Sequence, residues 1–160
     1  MTLDTWIANG AFAALLASAA LQVFFLFKRP AKPDKVAPAL MLASAAALLA
    51  VIAMRSVRIG FIALTSTYES LAFWAAVVCV VSFVYGRQRR LQYRPGVVFG
   101  ATMLSVVMLA VASSPLIPKE ALPPIPALRS AWLILHVSFT FVGEAFFDDV
   151  LAVGARWRET

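Results

Sequence analysis

The chain has 160 residues, 62% of them hydrophobic and 14% charged, with a net charge of +6 and a mean hydropathy of +0.85. A water-soluble domain has about 45–50% apolar and about 25% charged residues, so this composition excludes one and reads as an integral membrane protein. A single cysteine, Cys79, lies inside an apolar run, which leaves neither a disulfide framework nor a thiolate metal site within the chain.

The N-terminus, MTLDTWIANG, lacks the basic n-region of a signal peptide, so the first apolar run, about 6–27, reads as a retained membrane span. It stops at the short, basic, proline-broken loop KRPAKPDK. A second span covers about 36–54, and its alanines and Ser44 suit close helix packing rather than chemistry. The connection RSVRIGFIALTSTYES follows, with an apolar stretch too short to span. An interfacial or re-entrant piece is expected there. A third span, about 71–85, ends in RQRRLQYRPG, and a fourth covers about 97–112.

The fifth span, about 130–153, belongs to the stretch LPPIPALRSAWLILHVSFTFVGEAFF. Pro123, Pro124 and Pro126 lack donors and favour extended backbone, so no helix begins before about Ala127, and Arg129 or Ser130 starts it. Trp132 lies at the depth where indole rings gather at a bilayer interface. His136, the one histidine, follows a turn later on the same face. A neutral imidazole just below an interface suits an axial ligand for haem iron, and it equally suits a helix-end histidine bonded to a carbonyl or water.

The expected architecture is therefore all-α, a single transmembrane domain over 1–160 with about five spans. Lys28, Arg29, Lys32 and Lys35 follow the first span, Arg87, Arg89, Arg90 and Arg94 the third, and Arg156 and Arg158 the fifth. Against them stand Arg55, Arg58, Lys119 and Arg129 on the other side. The positive-inside rule then puts the N-terminus outside, the C-terminus in the cytoplasm and His136 at the outer face. The basic runs are topology signals with some affinity for anionic lipid, not a nucleic-acid patch.

Two further groups of polar residues invite chemistry. In Thr65 to Ser70, TSTYES, a hydroxyl of Thr65, Ser66 or Thr67 caps the third helix and Glu69 falls in its first turn, favouring the helix dipole. Arg55, Arg58 and Glu69 either pair or hold porphyrin propionates through guanidinium contacts. Glu144, Asp148 and Asp149 in the fifth span mark a proton or cation path, or the two aspartates lie near the cytoplasmic boundary paired with Arg156 or Arg158. Glu144 itself is expected near mid-bilayer, facing a neighbouring helix or subunit.

The pattern S-x-R-x-G, then TSTYESLAFW, then PALRSAWLILHVS resembles the CcsA/ResC family of cytochrome c assembly proteins, relatives of the haem-handling CcmC and CcmF. The resemblance covers about 55–147, and the histidine-containing motif is its specific part. It implies that His136 is the first of two external histidines ligating b-type haem, bound transiently. It also implies that Tyr68, Glu69 and Ser70 match the family's Tyr-Glu-Ser motif. Trp132 would wall the site, and Arg55, Arg58 or Arg129 would meet the propionates. The family continues with a tryptophan-rich external segment and a second histidine, whereas Trp6, Trp74, Trp132 and Trp157 are scattered here, and Arg129 replaces the usual glutamine.

The resemblance thus implies the N-terminal half of a cytochrome c-type biogenesis protein of the cell inner or plasma membrane. Such a protein would hold or relay haem at the periplasmic side for attachment to apocytochrome c. The second histidine and tryptophan-rich segment would come from other membrane subunits. For that attachment the chain supplies no thiol and no evident acid–base group, so it is expected to act as part of a holocytochrome c synthase assembly rather than as a catalyst alone. The alternatives are a non-catalytic anchor or haem-holding subunit of a respiratory or photosynthetic complex, and a transporter half that needs a partner repeat.

Overall fold

A computed structural model describes residues 3–28, 35–87, 94–119, 132, 135–145 and 147. Four long helices make an up-down-up-down bundle: α1 (Leu3–Lys28), α2 (Val36–Ile59), α3 (Thr67–Arg87) and α4 (Arg94–Ser113). A further helical stretch, α5, covers 135–145, with Trp132 and Phe147 also helical. α1 packs against α2 and α4, and α3 packs against the same two, so the four form a closed ring. All four are long and apolar enough to cross a membrane. The chain is an all-α, multi-pass membrane protein.

Small residues bring these helices together. Ala11, Leu15 and Ala19 of α1, Met41, Ala45 and Leu48 of α2, and Ala72, Ala75, Ala76 and Cys79 of α3 form one buried cluster with the end of α4. Lipid tails are as apolar as leucine, so burial alone does not hold such helices together; close packing and interhelical hydrogen bonds must. Ser44 donates to the Ala11 carbonyl at 2.7 Å, and Ser18 to the Ala37 carbonyl at 2.8 Å. The Gln22 amide donates to Ser18 and, at 3.0 Å, to Thr102, which joins α1 to α4.

Up-down order gathers the charges at two ends. Lys28, Lys35 and Arg87 lie at one end, with Lys28 over the Phe24 ring and Arg87 over the Phe83 ring at 4.6 and 4.9 Å. There the long stems lie along apolar surface and the cations reach towards water. Asp4, Arg55, Arg58, Tyr68, Glu69 and Lys119 lie at the other. Arg29, Lys32, Arg89, Arg90, Arg156 and Arg158 are outside the described residues.

α2 runs five residues past Met54, where the sequence places the end of the span. Its last turns hold Arg55 and Arg58, and both are paired. Gly60 stops it: a left-handed φ of 66° lets its N–H reach the Val57 carbonyl while Phe61 N–H reaches Ser56, which closes the helix end.

α5 lies on the outside of the ring. Phe141 stacks on Trp74, with centroids 5.5 Å apart and planes 3° apart, and also meets Phe73. Ala145 is buried in a small cluster with Val78 and Ala101. The contacts run in the same order along both helices, so α5 is parallel to α3. His136, five residues before Phe141, is then level with Tyr68 and Glu69 at the start of α3.

Candidate functional site

The site begins in the seven-residue return from α2 to α3, residues 60–66. Ser56 donates to the Ile52 carbonyl and accepts from Ala63 N–H at 2.8 Å, folding the segment back over the helix end. Ala63 and Leu64 are buried beneath it. Ser66 then opens α3: its hydroxyl accepts from Glu69 N–H at 3.2 Å while the Glu69 carboxylate accepts from Ser66 N–H at 3.3 Å. This reciprocal pair is a capping box, and it selects Ser66 from the three hydroxyl residues available. Ser70 adds a bond from its hydroxyl to the Leu64 carbonyl.

The cap also aims Glu69 inward. Its side chain is 2% exposed, and Oε1 faces Arg55 Nε at 3.3 Å, an ion pair without hydrogen-bond alignment. The same guanidinium donates from Nη2 to the Lys119 carbonyl and lies 4.8 Å over the Tyr68 ring. One buried cation thus joins α2, α3 and the segment after α4. Arg58, a turn further, is half-exposed and reaches Asp4 Oδ1 at 3.5 Å, tying α1 to α2. Asp4 lies in the first turn of α1, where a carboxylate also favours the helix dipole.

Beside these pairs is a small cleft of about 30 Å³, lined by Asp4, Asn9, Arg55, Tyr68, Ser113 and Lys119 among others. A water molecule needs about 10–15 Å³ on this measure, so the cleft takes one or two waters and is far too small for a macrocycle.

His136 and Trp132 stand on α5 at the same end and are both exposed, Trp132 by 76%. The His136 carbonyl accepts from Thr140, but among the described residues its imidazole has no hydrogen-bond partner. The structure therefore brings Arg55, Tyr68 and Glu69 into contact, sets Arg58 beside them on Asp4, and places His136 level with them on a separate surface. Arg129, Asp148 and Asp149 lie outside the described residues. Glu144 is exposed and, among the described residues, meets no cation. Asp4 and the Lys119 carbonyl are partners that sequence reasoning missed. An acidic residue opening an apolar run, at the end where Arg58 must emerge, is the signal that points to Asp4.

The chain is 29% identical over 146 residues to the cytochrome c biogenesis protein CcsA of Synechocystis sp., covering 91% of this chain and 43% of that protein. It is 31% identical to the CcsA of a Synechococcus sp., covering 89% of this chain and 47% of the relative. The CcsA of Prochlorococcus marinus is 30% identical over 84% of this chain and 42% of its own length. No family model and no solved structure matches the sequence. Across most of its length, then, the chain is similar to the CcsA cytochrome c biogenesis proteins, and it spans just under half the length of these relatives.

Proposed function

We propose that the chain takes part in cytochrome c biogenesis by holding or relaying haem at the outer face of the membrane, with His136 as one axial ligand. The observation that carries this reading is an exposed imidazole, without a partner among the described residues, at the end of the bundle where the capped α3 also begins. Imidazole is a haem-iron ligand, and an open helix face fits a flat macrocycle where the 30 Å³ cleft does not. Bound haem would supply the vinyl groups that become joined to the C-x-x-C-H thiols of apocytochrome c.

The residues divide this work. Trp132 walls the face beside His136. Arg58, half-exposed, is a described cation that a propionate can reach, and Arg129, seven positions before His136 in the sequence, would be a second. Arg55 is spoken for by Glu69, Tyr68 and the Lys119 carbonyl, so these residues hold the bundle end in shape rather than touching haem. One histidine supplies one axial position. The other belongs to a partner membrane subunit, which would also bring the tryptophan-rich segment, and the site lies on the periplasmic side of the inner or plasma membrane.

Haem content per polypeptide, read from the Soret band of protein purified from membranes with its partners, tests this. His136→Ala should remove most of the haem at unchanged polypeptide abundance, and Arg58→Ala should remove a smaller part. Equal haem content in His136→Ala and the parent chain would overturn the assignment.

A further inference from the structure

The face of α5 turned away from α3 presents His136, Phe139, Gly143, Glu144 and Phe147, all exposed. Exposed apolar side chains are ordinary on a helix that meets lipid, and Val84, Val107 and Val111 are others. Glu144 is not ordinary. It follows Phe141 by three residues, or about 4.5 Å of helix rise, which puts it beside the middle of α3. α3 has 21 residues, about 31 Å of rise, so its middle is the middle of the hydrocarbon. A carboxyl at that depth is costly unless a polar group meets it, and among the described residues none does. Gly143 beside it leaves open space where a side chain would stand, so another backbone can approach closely.

We infer that this face docks a membrane-spanning helix of a different polypeptide that carries a lysine or arginine at mid-depth to meet Glu144. A second copy of this chain does not fit. Two copies in one membrane share an orientation, so a two-fold interface on this face would set Glu144 against Glu144. Nor do the described helices carry a suitable cation, since every lysine and arginine in them lies close to a helix end. The inference needs α5 in the membrane and does not rest on haem.

A photo-reactive phenylalanine analogue at Phe139 or Phe147, with Leu16 of α1 as a lipid-facing control, tests it in intact membranes. The expected adducts from 139 and 147 map to a transmembrane segment of another polypeptide, within one turn of a lysine or arginine. Glu144→Gln should lower adduct yield by about tenfold, which corresponds to about 1.4 kcal/mol, while the chain's abundance in the membrane stays level. Glu144→Lys should abolish the adducts, and changing the mapped cation to glutamate should restore them. Adducts with lipid alone, with a second copy, or with a segment lacking a basic residue would overturn the inference, as would an unchanged yield in Glu144→Gln. None of these readouts uses haem, so a failure of the haem reading shows separately.

Discussion

Arg55 and Glu69 are sealed in the bundle at 3% and 1% exposure, whereas His136 and Glu144 stand exposed on a helix held to α3 by Phe141 and Ala145. Both regions put charged or titratable groups into an apolar protein, but they satisfy them differently. Arg55 meets a carboxylate, a carbonyl and an aromatic face, so removing it strands its partners without freeing a site. His136 and Glu144 meet no group of their own among the described residues. The first arrangement makes the end of the bundle rigid. The second leaves its chemistry to something outside the described chain.

The sharpest way to break this contrast is to remove one member of the sealed pair. Arg55→Ala leaves the Glu69 carboxylate buried without its cation, and losing one partner of a buried pair costs about 3–5 kcal/mol. Replacing both residues with apolar ones, Arg55→Met with Glu69→Leu, should recover much of that loss, because no charge is left stranded. His136→Ala should change stability by no more than about 0.5 kcal/mol, as expected of an exposed position. Thermal unfolding in mild detergent measures all three. A His136→Ala loss comparable with that of Arg55→Ala would erase the distinction.

A smaller effect concerns how Glu69 is aimed. Ser66→Ala removes the acceptor for Glu69 N–H and should cost about 1 kcal/mol, with Ser66→Thr close to the parent. If the capping box also positions the carboxylate, the loss in Ser66→Ala should shrink when Arg55 is already methionine. Strict additivity in that double-mutant cycle would mean that cap and ion pair are independent.

Much of this was legible in the chain. The apolar runs mark where the four long helices lie, because about twenty such residues in a row have few other fates. The end of α2 was hidden, since Arg55 and Arg58 look like residues leaving the membrane until their partners are known. Glu69 is 14 positions from Arg55 and Asp4 is 54 from Arg58, and only the rotation of each helix in the ring decides that they meet. The Gln22–Thr102 bond is hidden for the same reason, across 80 residues. Ser66 was nearer to legible, because a serine three residues before a glutamate is the capping-box spacing itself. The depth of Glu144 follows from counting along the helix, but its outward direction follows from which face Phe141 and Ala145 give to α3.

That last contact yields the smallest expected effect and the most local one. Phe141→Leu keeps an apolar residue against Trp74 but removes the stacked pair, which is worth about 0.5–1.5 kcal/mol beyond burial. The four-helix ring does not depend on that pair, so global unfolding should shift by the low end of this range or less. The opening of α5 should shift by more. Amide hydrogen exchange separates the two: protection should fall along 135–145 and stay level in α2 and α3. A uniform fall would mean that α5 is part of the ring's cooperative unit. The exposed face of α5 would then be an outer wall of a rigid body. A fall confined to α5 would mean that the helix carrying His136 and Glu144 is held mainly by the stack on Trp74 and the Ala145 contact, with the rest of its binding surface still to be filled.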